Sequence, residues 1–305
     1  MTGFTYWFNG EFLPEEQAVI PVNDRGFRLG DGVFDTERTF NGEIFRLAEH
    51  LERLERSLRY TRIDPGVSMD DLARLSREAV ERNRHLLERH GDFWVTQNIS
   101  RNGSGGANVA IIVEPLPFTR FAPFYDKGIS LVVPPVRASA NQGLDPKLKS
   151  ISRLNMVLAD LEGKAIDGDS LSVLVDELGN LAEVLYGNLF VVRGGKIRTP
   201  GSRAILEGVS RMTTLELIAD EGVPASEADL QPYDLYTADE VFVTTTSYCI
   251  LPVASLNGRE IGREAPGPVT ARLTEAWNDR VGLDIAGQMR RFGAPKPAEA
   301  LTLAT

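Results

Sequence analysis

The stretch Leu148-Lys149-Ser150-Ile151-Ser152-Arg153-Leu154-Asn155 places a lysine between a connector rich in Gly, Pro and Asn and a run with helical periodicity. The spacing of the apolar residues predicts a buried helix that contains Ile151, Leu154, Met156, Val157 and Leu161. A lysine at the start of such a helix must extend its ammonium group to water or have a role that offsets desolvation. A desolvated lysine amine is commonly used to hold an aldehyde as a Schiff base. Because most single lysines are simply solvated, the interpretation of Lys149 depends on the rest of the chain.

The composition indicates a globular protein of more than one domain. With 305 residues the chain exceeds the usual size of a single hydrophobic core, so two domains are expected. Its net charge of −10 argues against nucleic acid or an anionic membrane as the main partner. The N-terminal residues lack a basic segment followed by a long apolar one, and no apolar run reaches the length of a membrane span. We therefore expect a cytoplasmic protein that acts on small molecules.

The histidine and cysteine counts narrow the chemistry that the chain can carry. A single cysteine, Cys249, excludes an internal disulfide. Of the three histidines, His85 and His90 lie in a strongly polar run and are expected to be solvated, which leaves His50 as the candidate for a Ser-His-Asp triad. Without clustered histidines or cysteines, we expect no metal site. If the chain is an enzyme, lysine, carboxylates or a cofactor carry its chemistry.

The N-terminal part of the chain predicts strands followed by two helices. Residues 4–45 are β-rich, with a turn at 22–26 and a hairpin at Asn41-Gly42, the strongest short hairpin signal in the sequence. Leucines at 47, 51, 54 and 58 form one face of an amphipathic helix, and Arg53 lies off that face. A second helix is predicted at 68–90, and strands follow at 93–100 and 108–114.

Changes in composition indicate where the two domains meet. Residues 115–123 combine prolines and aromatics without a helical or alternating period, as expected of an interdomain link. We therefore divide the chain into a small N-terminal domain at 1–116, a linker at 117–125, a larger C-terminal domain at 126–290 and a tail at 291–305 that is expected to be disordered. Within the larger domain, strands are predicted near 129–133, 171–176, 182–193, 196–199 and 240–246, and helices open at about 209 and 268.

Three features of the sequence are candidates for binding an anion. A helix opens at Gly208, which permits close approach, so the N–H groups of Val209 and Ser210 would face a ligand at the positive end of the helix dipole. The run Thr244-Thr245-Thr246-Ser247 presents four hydroxyls in succession at the end of an apolar strand. Arg53 could anchor a phosphate through two hydrogen bonds. Each feature also has an ordinary explanation: a helix N-cap, a β-prone run of threonines, or a solvated arginine.

Glu183 lies in an apolar strand segment, where a carboxylate is costly unless a cation pairs with it. A protonated pyridine nitrogen would be such a cation. A lysine for an aldehyde, an acid for a pyridine nitrogen and three candidate phosphate ligands together match the chemical groups of pyridoxal 5′-phosphate. None of these residues is decisive by itself, and it is their co-occurrence that indicates this cofactor.

Several motifs resemble those of the class IV aminotransferases, the fold-type IV pyridoxal-phosphate enzymes. They are Arg25-Gly26-Phe27 with Gly30-Asp31-Gly32-Val33-Phe34, then Glu49-His50-Leu51-Glu52-Arg53-Leu54, then Lys149-Ser150, and the run from Glu183 to Arg211. The resemblance covers about residues 5 to 285, and it implies an α+β fold of the D-amino acid aminotransferase type. That fold has a smaller N-terminal α/β domain and a larger C-terminal β-barrel-like domain. The resemblance also implies a homodimer, with the cofactor between the domains and a loop of the neighbouring subunit at each site.

The same resemblance assigns roles to individual residues. Lys149 would bind the cofactor aldehyde covalently and then move the proton, and Glu183 would pair with the pyridinium. Arg153, four residues after Lys149, would touch the phenolic side of the cofactor or simply cap the helix. The phosphate would be held by Arg53, Gly208, Val209, Ser210, Thr245 and Thr246. The substrate pocket would be lined by Phe34, Trp94, Thr96, Leu185, Tyr186, Ser247 and Tyr248.

Departures from the family pattern concern the substrate side. Val184 and Leu185 stand where the family has glycine and a small residue, so the shape of the pocket does not follow from the resemblance. Branched-chain enzymes carry a Tyr-x-Arg pair at the position of Trp94-Val95-Thr96, and D-amino acid enzymes carry a later Arg-x-His pair that residues 102–107 do not supply. The remaining candidates for binding a carboxylate, each expected to be a surface residue, are Arg101, Arg120 and Arg137.

The favoured interpretation is an aminotransferase that moves an amino group from an (R)-primary amine or a hydrophobic amino acid to a 2-oxo acid by a ping-pong mechanism. Apolar and aromatic side chains in the expected pocket favour an amine, because an enzyme restricted to amino acids should place an arginine there. The alternatives are an ordinary branched-chain or D-amino acid aminotransferase, an enzyme of the aminodeoxychorismate-lyase type, and a non-catalytic protein with the same fold.

Overall fold

The computed structural model describes residues 3–138 and 143–294, which form two α+β domains, each built on one β-sheet. Each sheet has its own hydrophobic core. The N-terminal core includes Leu54, and the C-terminal core includes Phe242 and Trp277, all of them fully or almost fully buried. The two-domain α+β architecture predicted from the sequence is therefore confirmed. Within the described ranges, no helix is long and apolar enough to cross a membrane.

The described part of the N-terminal domain contains six strands: β1 (Thr5–Phe8), β2 (Glu11–Pro14), β3 (Gly32–Phe40), β4 (Glu43–Ile44), β5 (Phe93–Arg101) and β6 (Ala107–Pro115). They form an antiparallel sheet in the order β2-β1-β6-β5-β3-β4. The predicted hairpin at Asn41-Gly42 is confirmed, because it joins β3 to β4. Asn41 and Gly42 have φ of 52° and 81°, the left-handed conformation that a two-residue hairpin turn requires.

The helices of this domain are α1 (Arg25–Leu29), α2 (Leu47–Thr61), α3 (Met69–Asn83) and α4 (Leu87–His90). Ser68 caps α3, as its position suggested, by accepting the N–H of Asp71 at 3.0 Å. The helix predicted at 68–90 is interrupted after Asn83. The buried Asn83 side chain bonds to both backbone groups of Thr5, at 2.8 and 2.7 Å, and the chain then passes through a 3₁₀ turn into α4.

The linker contains helical turns that the sequence did not predict. They are α5 (Phe118–Phe121) and α6 (Phe124–Lys127). Each begins directly after a proline, Pro117 or Pro123, and proline is compatible with the start of a helix because its missing N–H has no partner there. Their aromatic residues are buried in the C-terminal core. The linker is therefore packed against the larger domain.

The described part of the C-terminal domain contains nine strands: β7 (Ile129–Val132), β8 (Leu171–Val175), β9 (Leu181–Val184), β10 (Asn188–Arg193), β11 (Lys196–Thr199), β12 (Ala225–Glu227), β13 (Glu240–Thr245), β14 (Cys249–Leu256) and β15 (Arg259–Glu260). The order is β12-β11-β10-β13-β14-β7-β8-β9, with β15 added to β14. The sheet mixes parallel and antiparallel pairs and curls into a half-barrel.

The helices that flank this sheet are α7 (Leu154–Ile166), α8 (Val209–Asp220), α9 (Pro232–Tyr236), α10 (Pro268–Val281) and α11 (Ile285–Gly293). The predicted helices from 209 and 268 correspond to α8 and α10. Helix α11 was not predicted. It packs on the core through Ile285 and Met289, and it continues past the expected domain end at residue 290, where Phe292 packs on Phe118 with ring centres 5.3 Å apart. The rest of the expected tail, residues 295–305, lies outside the described residues.

Helix α7 is oriented opposite to the sequence expectation. Ala159 and Gly163 form its buried face, and a Cβ on Gly163 would come within 2.2 Å of the Ser172 hydroxyl. Such close packing on β8 requires small residues. Three of the large apolar residues that suggested a buried helix, Leu154, Val157 and Leu161, are instead exposed, and so is Leu158.

Candidate active site

A cleft lies between the two domains and brings most of the sequence-predicted site residues together. Its empty volume is about 1000 Å³, including the open mouth. The predicted residues that line it are Phe34, Arg53, Lys149, Arg153, Glu183, Tyr186, Gly208, Ser210, Thr245 and Thr246. Val209 lines a small adjoining cavity, together with Ser210 and Thr246. The cleft is therefore the candidate active site.

Lys149 is positioned by the N-terminal domain and lies five residues before α7. Its carbonyl accepts the N–H of Phe34 at 3.0 Å, and the neighbouring Ile151 N–H donates to the Gly32 carbonyl at 3.1 Å. These bonds attach the lysine segment to the start of β3. The Nζ atom lies 4.7 Å from the centre of the Phe34 ring. Burial, followed by the charge of Arg53, lowers the pKa of Lys149 to about 8, so an appreciable fraction of the amine is neutral near pH 7.

Arg53 is buried on α2 and is held by two hydrogen bonds to one carboxylate. Its Nε donates to Asp35 Oδ2 at 2.8 Å, and its Nη2 donates to Asp35 Oδ1 at 2.6 Å. The Nη1 atom donates to the Glu207 carbonyl at 3.0 Å, just before α8. Burial opposes ionisation of both groups, but each partner outweighs it, raising the pKa of Arg53 and lowering that of Asp35. The guanidinium is therefore fixed and charged at the wall of the cleft.

Asp35 and His50 were missed as site residues. His50 Nδ1 lies 2.8 Å from Asp35 Oδ1, so the histidine supports the carboxylate that holds Arg53. Glu37, two residues further on β3, is also buried, and neither carboxyl oxygen has a hydrogen-bond partner among the described residues. Burial and then the charge of Asp35 raise the pKa of Glu37 well above its usual value. A carboxylate within an apolar strand, the signal that identified Glu183, would also have identified Asp35.

The start of α8 has the properties of an anion site. Gly208 is the N-cap residue, and no side chain of the described residues caps the helix there. The N–H groups of Val209 and Ser210 are thus left for a ligand at the positive end of the helix dipole. A Cβ at Gly208 would lie 2.2 Å from Asn188 Oδ1, so a side chain there would displace Asn188, which donates to the Leu206 carbonyl. Arg53 approaches this helix through its bond to Glu207, which places the guanidinium beside it.

The threonine run at the end of β13 lines the same cleft. The Thr245 hydroxyl donates to the Tyr186 carbonyl at 2.8 Å, and the Thr246 hydroxyl donates to the Thr36 carbonyl at 3.3 Å. Each hydroxyl oxygen is fixed by its own bond and keeps the capacity to accept one from a ligand. Thr244 also lines the cleft, and its buried hydroxyl has no partner among the described residues.

Glu183 lies on β9 and lines the cleft. Its Oε2 accepts the N–H of Leu206 at 3.1 Å. Burial raises the pKa of Glu183 to about 7, although the hydrogen bond from Leu206 and the charge of Lys149 lower it in part. A carboxyl group in this state has no strong cation partner in the described part of the chain, and a cationic ligand nitrogen would stabilise its ionised form.

Five predicted pocket residues do not line the cleft. Leu185 lies in a small separate core, and Tyr248 packs against Phe121 with ring centres 4.8 Å apart. Strand register on β5 directs two others elsewhere: Trp94 packs on the C-terminal core, and the Thr96 hydroxyl pairs with that of Thr36. Ser247 lies in the turn between β13 and β14, where its carbonyl accepts from Arg38. Of the aromatic pocket residues, Phe34 and Tyr186 remain.

Tyr186 has an unusual backbone conformation. Leu185 and Tyr186 form a two-residue turn between β9 and β10, closed by the Gly187 N–H and the Val184 carbonyl at 3.0 Å. Tyr186 has φ of 68°, a left-handed conformation that a bulky residue rarely adopts. The strained turn directs the half-exposed ring toward the cleft mouth.

The cleft fits pyridoxal 5′-phosphate in each of its chemical parts. The buried Arg53 and the uncapped helix start suit a phosphate, the raised pKa of Glu183 suits a pyridinium partner, and the lowered pKa of Lys149 suits covalent attachment of an aldehyde. A half-barrel domain joined to a smaller α+β domain, with these residues between them, defines a fold-type IV pyridoxal-phosphate enzyme.

Comparison with known proteins identifies the family. The family model of the amino-transferase class IV matches residues 32–256. The chain is 32% identical over 280 residues to a Methanocaldococcus jannaschii protein named "Putative branched-chain-amino-acid aminotransferase", covering 90% of this chain and 95% of that one. It is 30% identical to the D-alanine aminotransferase of Bacillus licheniformis, covering 90% and 96%. The chain belongs to the class IV aminotransferases, and its cofactor is pyridoxal 5′-phosphate.

A solved structure agrees with this assignment. A branched-chain amino acid aminotransferase of T.th., solved with pyridoxamine 5′-phosphate, superposes with a TM-score of 0.85 at 26% identity. The likeness covers 96% of this chain and 97% of the other. The predicted fold, enzyme class and cofactor are thus confirmed.

Proposed function

We propose that this aminotransferase moves an amino group from an amino acid with an apolar side chain to a 2-oxo acid. The observation that carries the proposal is the cleft in which Lys149, Glu183 and Arg53 meet the open end of α8. The names of the relatives, which refer to branched-chain amino acids and to D-alanine, support an amino acid donor. Leu144, Met156 and Leu174 also line the cleft and provide apolar surface for such a side chain.

Each residue has a separate task in this proposal. Bound cofactor supplies an electron sink for the carbon that carries the amino group. Arg53 and the N–H groups of Val209 and Ser210 hold the phosphate, and the carboxylate of Glu183 keeps the ring nitrogen protonated. Lys149 Nζ would hold the cofactor and, as a free amine beside the bound donor, would move a proton on and off the substrate carbon. The donor leaves as a keto compound before the acceptor enters, which is a ping-pong sequence.

A panel of donors tests this function. Purified protein loaded with cofactor is incubated with 2-oxoglutarate or pyruvate and one donor at a time: L-leucine, L-glutamate, D-alanine, or either enantiomer of 1-phenylethylamine. We expect turnover of leucine and a donor-induced change in the absorbance band of the bound cofactor. Turnover of (R)-1-phenylethylamine alone would replace this proposal with an amine transaminase. The absence of any donor-induced change would contradict transamination.

The apolar face of α7 supports a homodimer as the working form. Leu154, Val157 and Leu161 are exposed at helical spacing on α7, and Phe27 and Leu29 are exposed on α1. Exposed apolar clusters of this kind are typical of subunit interfaces.

We expect twice the chain mass by light scattering and a shift to the single-chain mass in Leu161→Glu. The matched control is Leu178→Glu, an exposed leucine in the turn between β8 and β9; a dimer that survives Leu161→Glu would exclude this face.

A further inference from the structure

Arg153 lines the cleft and stacks on aromatic rings. Its guanidinium carbon is 4.4 Å from the centre of the Phe34 ring and 5.4 Å from that of Tyr186. It is the N-cap residue of α7, but its side chain makes no capping hydrogen bond, so the helix end does not explain its position. Among the described residues, no carboxylate lies within salt-bridge distance of it. Burial lowers the pKa of Arg153, which indicates a charge that is only partly solvated.

The other charges of the cleft are already matched. Asp35 neutralises Arg53 at 2.6 Å, and Asp145 pairs with Lys147 at 3.0 Å. Lys149 and Glu183 are the groups that the aldehyde and the ring nitrogen of the cofactor require. Within the described part of the chain, Arg153 is left as a positive charge without a counter-charge, and an unpaired, partly buried guanidinium is costly until an anion binds it.

The arginines that the sequence offered as carboxylate ligands are occupied elsewhere. Arg101 donates to Asp31 at 3.1 Å and to the backbone carbonyl of Thr61 at 2.8 Å. Arg120 stacks on Phe121, and Arg137 donates to a carbonyl of its own connector at 3.4 Å. None of the three lines the cleft.

We propose that Arg153 binds the α-carboxylate of the amino acid donor and of the 2-oxo acid acceptor, with the rings of Phe34 and Tyr186 holding the guanidinium in place. The α-carboxylate is attached to the carbon that carries the amino group, so its ligand must lie near Lys149. Both cations contact the same Phe34 ring, which meets this requirement. A guanidinium that is stacked on aromatic faces keeps its N–H donors free for two parallel bonds to a carboxylate. The inference rests on the proposed function, because it assumes an amino acid substrate.

The first test measures binding without turnover. The holoenzyme is titrated with 4-methylpentanoate and, separately, with 4-methylpentanamide, by calorimetry. We expect the wild type to prefer the carboxylate, and Arg153→Gln to weaken carboxylate binding roughly 10- to 100-fold without changing amide binding. Arg153→Lys should restore part of the affinity, and Arg137→Gln should behave as wild type. Equal carboxylate affinity in wild type and Arg153→Gln, or equal losses for acid and amide, would overturn the proposal.

The second test separates a carboxylate ligand from a general structural role. Leucine is compared with 3-methylbutylamine, the same molecule without the carboxylate. Arg153→Gln should raise KM for leucine by a similar factor, with a smaller change in kcat, and change KM for the amine much less, so that the preference for leucine over the amine falls. A wild type that transaminates neither donor would contradict the proposed function, whereas the calorimetric comparison would still decide what Arg153 binds.

Discussion

Two arginines line the same cleft and differ in how they are held. Arg53 comes from the N-terminal domain, is buried, and is fixed by two bonds to Asp35 that His50 supports. Arg153 comes from the C-terminal domain and rests on the Phe34 and Tyr186 rings without a carboxylate partner among the described residues. The pKa of Arg53 is raised and that of Arg153 is lowered. Arg53 is therefore suited to a ligand that stays bound, and Arg153 is suited to ligands that exchange.

Removing Lys149, which lines the same cleft, should have the largest effect. Lys149→Ala should lower kcat/KM by roughly 10⁴-fold or more, because both the covalent attachment and the proton transfer are lost. The absorbance band of the attached cofactor should disappear with it, as measured on dialysed protein. Lys147→Ala is the matched control, since Lys147 is exposed and paired with Asp145. A colourless Lys147→Ala together with a coloured Lys149→Ala would reverse the assignment.

Removing the carboxylate that holds Arg53 should lower the free energy of unfolding more than any surface substitution. Asp35→Asn leaves Arg53 buried without its counter-charge, which should lower the free energy of unfolding by about 3–5 kcal/mol. Cofactor should also dissociate more readily, because the guanidinium is no longer oriented. Urea denaturation and equilibrium dialysis measure the two effects. In Asp31→Asn, which loses the more exposed pairs with Arg25 and Arg101, the change should stay under about 1 kcal/mol; equal losses in the two variants would contradict the comparison.

The pH dependence of the free energy of unfolding reports the protonation of Glu183, which has no salt-bridge partner among the described residues. Burial raises the pKa of Glu183 from 4.5 to about 7 in the folded protein without cofactor. The folded state therefore favours the protonated form, and its contribution is present below pH 4.5 and is lost as pH rises through 7. Wild-type protein without cofactor should lose about 3 kcal/mol relative to Glu183→Gln across this window. The exposed Glu177→Gln should follow the wild type in urea titrations, and parallel curves for all three proteins would exclude the shift.

The smallest expected effect concerns Tyr186, whose ring stacks on Arg153 and whose backbone is strained. Tyr186 has φ of 68°, which glycine adopts without strain. Tyr186→Gly should therefore raise the free energy of unfolding, by under about 1 kcal/mol. The same variant removes one of the two rings beneath Arg153, so KM for the amino acid should rise. Tyr186→Phe keeps both the ring and the strain, and it should match the wild type in both measurements. Destabilisation by glycine would mean that the ring contributes more packing than the turn costs.

The sequence predicted the elements and residues whose signals are local. The Asn41-Gly42 hairpin, the start of α8 and the carboxylate of Glu183 could each be read from a few neighbouring residues. The faces of β5 could not, because the direction of Trp94 and Thr96 depends on strand register, which long-range pairing determines. The orientation of α7 was also inaccessible, since small residues, and not large apolar ones, mark its buried face. Asp35 was recoverable in principle, but its partner Arg53 lies 18 residues away on another element.

The backbone bonds that join the Lys149 segment to β3 have a consequence for how the enzyme matures. Two hydrogen bonds, from Phe34 N–H to the Lys149 carbonyl and from Ile151 N–H to the Gly32 carbonyl, cross from one domain to the other. The lysine is therefore not in position until both domains have folded and docked. We therefore expect cofactor attachment to follow the docking of the domains, and the return of colour during refolding to lag behind the recovery of secondary structure.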